Sequence, residues 1–324
     1  MQKTLGLLGT GVIGAGWAAR ALHCGHDVVA MDVSASAEAT IRESVTAAAP
    51  RLDALTEGIP MPKKGVLSFT TNAEEMAQNV DFIQENVPEN LEIKRAAIAK
   101  VAAISSADVI IASSTSGFMP SELQEGMPDP TRILVGHPFN PVYLCPLVEI
   151  VGGKQTSEAA KANAKDFYEG MGMHALMIRR EVPGHLADRL QEAMWREILH
   201  ALNDDIATTE ELDASIVYGP GLRWAAMGMN QLYMLGGGEG GARHFMEQFG
   251  PALEWPWSHL KAPELSEEII ERFVSGTEQQ AAGRSIREQE QIRDECLVAI
   301  QRVLAKHNVG AGQSLNALAE RMKG

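Results

Sequence analysis

The chain has 324 residues, 45% hydrophobic and 22% charged, which is enough for two globular domains that each bury their own core. Its formal net charge of -14 argues against a nucleic acid partner, because phosphate binding requires a basic surface. No apolar run reaches the ~18 residues of a membrane span. The opening MQKTLGLLGTG leads into a motif rather than a signal-peptide cleavage site. A cytoplasmic protein without a membrane partner is therefore expected.

The first half of the chain alternates short β-rich runs with alanine-rich helical runs. Strands are predicted at TLGLLG, DVVAMD, VDFIQENV, ADVIIASS, RILVGH, LVEIVG and HALMIR. Helices are predicted between them at AEATIRESVTAAAPRLDAL, NLEIKRAAIAKVAAIS and TSEAAKANAKDFYEGM. This order predicts an α/β domain over residues 1–183, built on a parallel, doubly wound, Rossmann-type sheet.

Beyond Pro183 the pattern changes to long helical runs. Helices are predicted at LADRLQEAMWREILHALNDD, GARHFMEQF, SEEIIERFVSGTEQQ and SIREQEQIRDECLVAIQRVLAKH, and no strand is predicted. Residues 184–324 are therefore expected to form an all-helical C-terminal domain. The apolar faces of LADRLQEAMWREILHAL and CLVAIQRVL predict self-association. Isologous contact is the commonest symmetry for such an association.

The three cysteines, Cys24, Cys145 and Cys296, are odd in number and widely spaced. They form no CxxC pair, so they indicate neither a disulfide framework nor a zinc site, and no metal is expected. Buried thiols in a reducing compartment are the simplest interpretation.

The segment GTGVIG carries glycines at G-x-G-x-x-G spacing between an apolar strand and an alanine-rich helix. Gly9 allows a tight turn, Gly11 lets a pyrophosphate approach backbone N–H groups, and Gly14 lets the helix pack on the strand. Asp32 closes the next strand, where it accepts hydrogen bonds from the adenosine ribose and repels a 2'-phosphate. The alternative is a glycine-rich turn beside a strand-end carboxylate. The context favours NAD, with contacts from Gly9, Thr10, Gly11, Val12, Ile13, Gly14 and Asp32.

His137 and Glu149 lie twelve residues apart in GHPFNPVYLCPLVE. His137 ends a predicted strand, and in open α/β sheets ligands bind outside the carboxyl ends of strands. Imidazole suits a general base that takes the hydroxyl proton of an alcohol. Glu149 is predicted to hold the other ring N–H. Without a cofactor motif, a strand-end histidine and an unrelated glutamate would be the preferred interpretation.

Five motifs in order, GTGVIG, ENVPENLEIK, ASSTSG, GHPFNPVYLCPLVEIVGG and EVPGHLADRL, resemble the 3-hydroxyacyl-CoA dehydrogenase family. The resemblance implies that His137 is the catalytic base and Glu149 the acid paired with it. It further implies that Ser116 hydrogen-bonds the substrate oxygen and that Asn140 supports cofactor and substrate.

The same resemblance implies that Glu89 and Lys94 contact the cofactor. Purely structural roles remain the alternative for two of these residues. Ser116 would simply cap a strand-to-loop turn, and Lys94 would lie on a solvated helix face.

The motifs NDDIATTEELDASIVYGPGLRWAAMG, GGGEGGARHFMEQFGPALEWPW and EQQAAGRSIREQEQIRDECLVAI narrow the resemblance to family members that act on L-carnitine. This implies NAD-dependent oxidation of the 3-hydroxyl to 3-dehydrocarnitine and a homodimer formed through the helical domain. The alternatives are L-gulonate 3-dehydrogenase and 3-hydroxybutyryl-CoA dehydrogenase, although only Lys63 and Lys64 offer an obvious basic pair for CoA phosphates. A crystallin-like NAD-binding protein would not need Ser116, His137, Glu149 and Asn140 together.

Carnitine carries a trimethylammonium group and a carboxylate, so each end requires a different surface. Asp188 stands where the family pattern PGF-x-x-N-R has asparagine, and it shares a helical face with Glu192 and Trp195. Aromatic faces attract quaternary ammonium ions, and Arg223, beside Trp224, matches a carboxylate. The alternatives are an acid favoured in the first turn of a helix and tryptophans packed in a core or a dimer interface.

Overall fold

The computed structural model describes residues 2–258, 261 and 266–323. Within them the chain forms two compact units. The first comprises the chain through Leu186 together with Leu297–Lys306 and the segment that begins at Ala311. The second comprises Ala187–Cys296 and His307–Gly310.

One eight-stranded sheet lies at the centre of the first unit. Its strands are Thr4–Leu8 (β1), Asp27–Met31 (β2), Leu67–Thr70 (β3), Phe82–Glu85 (β4), Ile110–Ser113 (β5), Ile133–Pro138 (β6), Leu147–Gly152 (β7) and His174–Ile178 (β8). Their order is β3-β2-β1-β4-β5-β6-β7-β8. The seven predicted strands are present. The strand β3 is not among the predicted ones, because it is a short edge strand that is only partly buried and so lacks a strong apolar signal.

Helices cover both faces of this sheet, as a doubly wound fold requires. They are Val12–His23 (α1), Ala37–Leu55 (α2), Ala73–Ala77 (α3), Leu91–Ala102 (α4), Pro120–Leu123 (α5) and Glu158–Gly170 (α6). Because side chains alternate along a strand, Leu7 joins the core that contains Trp17 of α1, whereas Leu8 joins the core that contains Met76 of α3 and Ile98 of α4. The predicted Rossmann-type α/β class is confirmed.

The strand β7 runs antiparallel to β6, and this reversal positions the site described below. The sequence predicts a parallel sheet, which holds for β1 through β6, while β7 and β8 run together in the opposite direction. Residues 139–146 connect β6 to β7 and are fewer than the dozen or so that a parallel crossover needs. The register places His137 directly opposite Glu149.

The second unit is helical, and none of its described residues forms a strand. Its helices are Ala187–Asn203 (α7), Thr209–Val217 (α8), Pro220–Trp224 (α9), Met229–Gly236 (α10), Gly241–Phe249 (α11), Glu267–Ala281 (α12) and the first half of Ile286–His307 (α13). Leu199, Leu202 and Ile269 form a small core, with Leu212 packed against it. No helix in the described part of the chain has the length and apolarity that crossing a bilayer requires.

The end of the chain returns to the first unit. The helix Ala311–Met322 (α14) packs its Leu318 against Gly172, and Arg321 Nη2 lies 2.9 Å from Glu169 Oε2. The sequence pattern predicts one helical domain over all of 184–324, whereas this segment belongs to the first unit. An amphipathic pattern identifies a helix but not the core against which its apolar face packs.

Candidate active site

The glycine-rich turn between β1 and α1 has the shape of a dinucleotide phosphate cradle. Gly9 has a φ of 88°, and a Cβ there would lie 2.7 Å from the carbonyl oxygen of Asn86. A Cβ on Gly14 would overlap the carbonyl oxygen of Gly9, whereas the space around Gly11 is open. Val12, the first residue of α1, is exposed. The turn therefore leaves the N-terminus of α1 accessible to a diphosphate.

Asp32 follows β2 and is tied to this turn. Its Oδ2 accepts hydrogen bonds from Thr10 N at 3.1 Å and Thr10 Oγ1 at 2.9 Å, and its Oδ1 accepts one from Ser34 N at 3.2 Å. Partial burial raises the pKa of Asp32, but the hydrogen bonds from Thr10, Ser34 and Val33 outweigh it, so the pKa lies below its ordinary value. The carboxylate is thus held ionised beside the cradle. This geometry fits a ribose with a free 2'-hydroxyl.

Lys94 and Glu89 lie at the carboxyl end of β4. Lys94 is 1% exposed, and its Nζ lies 2.9 Å from Glu85 Oε1, 3.1 Å from Val87 O and 3.2 Å from Glu89 Oε2. An ammonium has three N–H donors, so these acceptors account for all of them. Lys94 is therefore not on a solvated helix face, and it contacts both Glu85 at the end of β4 and Glu89 in the loop that follows.

Glu89 links the loop after β4 to the loop after β5. Its Oε1 accepts hydrogen bonds from the Thr115 hydroxyl and from Gly117 N. Partial burial raises the pKa of Glu89, but the bond from Thr115 and the charge of Lys94 outweigh it and lower the pKa below its ordinary value. An ionised carboxylate thus joins two loops at the carboxyl edge of the parallel strands.

Ser116, His137 and Glu149 form a hydrogen-bonded array, called here the Ser–His–Glu array. His137 Nδ1 lies 3.0 Å from Glu149 Oε2, and His137 Nε2 lies 3.1 Å from Ser116 Oγ. His137 is 4% exposed and Glu149 is fully buried, whereas Ser116 is exposed. The array therefore runs from the protein interior to an accessible hydroxyl.

The partners of His137 determine which nitrogen carries its proton. A carboxylate only accepts hydrogen bonds, so a proton on Nδ1 faces Glu149 and leaves Nε2 as the acceptor towards Ser116. The second oxygen of Glu149 accepts a hydrogen bond from Leu186 N at 3.0 Å. The arrangement is chemically suited to take up a proton at Nε2 while Glu149 stabilises the resulting imidazolium.

Asn140 lies on the loop after β6, and the four predicted substrate residues lie on helices of the second unit. Asn140 is exposed on the loop after β6. Asp188 is in the first turn of α7, and Trp195 follows two turns later with 44% of its surface exposed. Arg223 and Trp224 end α9. These last four all belong to the second unit.

Residues that the motifs do not identify also contact the array or Glu89. Thr115 and Gly117 bond to Glu89, Leu186 bonds to Glu149, and His185 lies beside His137 with the ring centroids 5.2 Å apart. His185 ends the EVPGH motif and Leu186 follows it. No spacing rule pairs either residue with a strand more than thirty positions earlier.

Sequence comparisons cover nearly all of the chain. The 3-hydroxyacyl-CoA dehydrogenase NAD-binding domain matches residues 4–182, and the C-terminal domain of the same family matches residues 184–282. An L-carnitine dehydrogenase from a Pseudomonas species is 50% identical over 95% of this chain and 97% of its own length. An L-carnitine dehydrogenase from Bacillus cereus is 50% identical over 95% of this chain and 94% of its own length.

Solved structures share the fold. A 5-formyl-3-hydroxy-2-methylpyridine 4-carboxylic acid 5-dehydrogenase, described as an NAD+-dependent dismutase, matches with a TM-score of 0.80 and 26% identity over 94% of this chain and 99% of its own. A (S)-3-hydroxybutyryl-CoA dehydrogenase from Ralstonia eutropha matches with a TM-score of 0.59 and 24% identity over 67% of this chain and 77% of its own. The family resemblance of the sequence motifs is thus confirmed: the chain belongs to the 3-hydroxyacyl-CoA dehydrogenase family and is an NAD-dependent dehydrogenase.

Proposed function

We propose that this dehydrogenase oxidises the 3-hydroxyl of L-carnitine to 3-dehydrocarnitine with NAD as the electron acceptor. The observation that carries the proposal is the 50% identity with two L-carnitine dehydrogenases over 95% of the chain. Such coverage includes the helical second unit as well as the NAD-binding half. We also propose that the first unit binds NAD and that the second binds the substrate and forms the dimer.

The Ser–His–Glu array supplies the proton chemistry of this proposal. NAD, when held by the glycine-rich turn and Asp32, would supply the acceptor for the hydride that leaves the carbon bearing the hydroxyl. His137 Nε2 takes the hydroxyl proton, and the buried Glu149 stabilises the positive charge that develops on the ring. Ser116 Oγ orients the substrate oxygen towards Nε2, and Asn140 supports the cofactor and substrate from the loop after β6.

Recognition of the two charged ends is assigned to the second unit. We propose that Trp195 and Trp224 offer aromatic faces to the trimethylammonium group, that Asp188 adds a nearby negative charge, and that Arg223 pairs with the substrate carboxylate. The exposure of Trp195 and Arg223 leaves their side chains accessible for these roles.

The alternative of an acyl-CoA substrate depends on a basic pair, Lys63 and Lys64, to bind the CoA phosphates, and the structure weakens its case. Lys64 Nζ lies 2.8 Å from Asp53 Oδ1, so this lysine already pairs with a carboxylate. The decisive experiment measures NADH formation with L-carnitine, L-gulonate and 3-hydroxybutyryl-CoA side by side. The proposal expects the highest kcat/KM for L-carnitine. A higher value for either competitor would reassign the substrate while leaving the dehydrogenase class in place.

The Asp32 carboxylate leads to a prediction about cofactor choice. Asp32→Ala is expected to reduce the preference for NAD over NADP by about tenfold or more, because it removes a ribose acceptor and a charge that repels the 2'-phosphate. The measurement is kcat/KM with each cofactor. Ser36→Ala removes an exposed hydroxyl from the same loop and serves as the control that keeps the ratio. Equal efficiency with NADP in the unmodified protein would contradict the prediction.

We propose a homodimer formed through the second unit, because large apolar side chains are exposed there. Leu222 is 72% exposed on α9 and Leu235 is 58% exposed on α10. Contiguous exposed apolar surface commonly marks an interface.

The dimer is tested by sedimentation velocity at micromolar concentration. The unmodified protein is expected to sediment as a dimer, and Leu235→Glu is expected to shift it towards monomer by burying a charge in the interface. Val66→Glu alters an exposed apolar residue of the first unit and should leave the dimer intact. A fully active monomer would refute the proposal.

A further inference from the structure

His185 is a fully buried polar side chain next to the Ser–His–Glu array. It lies in the segment between β8 and α7, where Gly184 and His185 have φ values of 70° and 48°. Burying an imidazole is costly unless its polar atoms are hydrogen-bonded. A left-handed backbone adds a further cost for a residue with a Cβ. Contacts made by the side chain must therefore offset both costs.

The imidazole of His185 holds the peptide that leads into Ser116. Its Nε2 lies 3.0 Å from Thr115 O, and because a carbonyl oxygen only accepts, Nε2 is the donor. The Thr115 carbonyl and the Ser116 N–H belong to one planar peptide unit. The hydrogen bond therefore fixes the orientation of the plane from which Ser116 projects its hydroxyl towards His137.

The next residue holds the other end of the array. Leu186 N donates to Glu149 Oε1, while Glu149 Oε2 accepts from His137 Nδ1. The dipeptide His185–Leu186 thus contacts both Ser116's peptide and the carboxylate, and the left-handed φ at His185 lets its side chain and the following N–H reach these two partners. The ring centroid of His185 lies 5.2 Å from that of His137.

We infer that His185 is a positioning residue for Ser116, setting the distance between the serine hydroxyl and His137 Nε2. The part of this inference that concerns turnover rests on the proposed function. The part that concerns the order of the loop after β5 does not, and it is measured without substrate.

The test compares two substitutions at the same position. His185→Phe keeps a flat ring of similar size and removes the donor, whereas His185→Gln places an amide N–H near the position of Nε2. The matched control is His23→Phe, because His23 is also buried in the first unit but bonds to Thr56 Oγ1 at 2.9 Å, away from the array. Each variant is assayed for kcat, for KM of the alcohol, for NADH affinity by fluorescence, and for hydrogen exchange in residues 114–118.

His185→Phe is expected to lower kcat by about tenfold or more, since small misplacements of reacting groups are costly, and to leave NADH affinity within about twofold. Exchange in residues 114–118 should accelerate by about tenfold, because the loop loses a hydrogen bond. His185→Gln should restore both readouts to within about threefold of the unmodified protein, and His23→Phe should change neither.

Equal impairment by phenylalanine and glutamine would overturn the inference, because shape rather than the donated hydrogen bond would then matter. So would unchanged exchange and turnover in His185→Phe. If His185→Phe does not fold, near-normal kcat and exchange in His185→Gln support the inference and a loss of both overturns it. An unmodified protein that fails to oxidise L-carnitine, while its His185 variants show the expected exchange, would refute the substrate proposal alone.

Discussion

His137→Gln is expected to lower kcat for alcohol oxidation by about 10² or more, the usual contribution of a general base. The substitution removes the acceptor at Nε2 that faces Ser116 Oγ at 3.1 Å, so no group remains there to take the hydroxyl proton. Glutamine places a non-basic amide near the position of Nε2, where it can still hydrogen-bond to Ser116 Oγ, which limits the structural cost of the change. The measurement is steady-state kcat with the alcohol substrate at saturating NAD.

The same experiment separates catalysis from folding. NADH affinity should be nearly unchanged, because His137 does not belong to the glycine-rich turn. Glu149→Gln should also slow turnover, since a neutral amide stabilises an imidazolium less well than a carboxylate does. His174→Gln alters an exposed histidine on β8 and is the control expected to retain full activity. Wild-type kcat in His137→Gln would exclude His137 as the base.

The position of His137 at the end of a strand could be predicted from sequence, but its distance to Glu149 could not. In a fully parallel sheet, Glu149 would lie near the start of its strand, at the edge opposite to the carboxyl end of β6. The antiparallel pairing of β6 with β7 instead places the two residues directly opposite each other. The short connection 139–146 indicates this antiparallel pairing, because it leaves no room for the crossover helix that a parallel pairing needs.

The cradle at Gly9, Gly11 and Gly14 was predictable because each glycine answers a local steric requirement that the motif spacing encodes. The hydrogen bonds that hold the loops at the carboxyl edge of the sheet could not be predicted in this way. Lys94 reaches Glu85 and Glu89, and His185 reaches a carbonyl seventy positions earlier in the chain. Such long-range contacts follow from the arrangement of strands rather than from a local pattern, so a sequence alone assigns these residues no partner.

Trp195→Leu tests the aromatic end of the proposed substrate site. It is expected to raise KM for L-carnitine several-fold or more, because the face that attracts the quaternary ammonium is lost, while KM for NAD stays unchanged. Trp257→Leu, which alters another exposed tryptophan of the second unit, is the comparison. Similar KM values for L-carnitine in all three proteins would remove Trp195 from the site.

The charge of the trimethylammonium group provides a test of substrate recognition that needs no mutation. An analogue of L-carnitine in which a tert-butyl group replaces trimethylammonium has nearly the same shape but no positive charge. Cation–π attraction in a desolvated site reaches ~2 kcal/mol, which is about 30-fold in binding, so kcat/KM for the analogue is expected to fall by about that factor. 3-Hydroxybutyrate lacks the group altogether, so the difference in kcat/KM between it and the neutral analogue measures how much the shape of the group contributes. If the neutral analogue is oxidised as efficiently as L-carnitine, recognition does not depend on the cation, and the roles proposed for the aromatic residues and Asp188 are wrong.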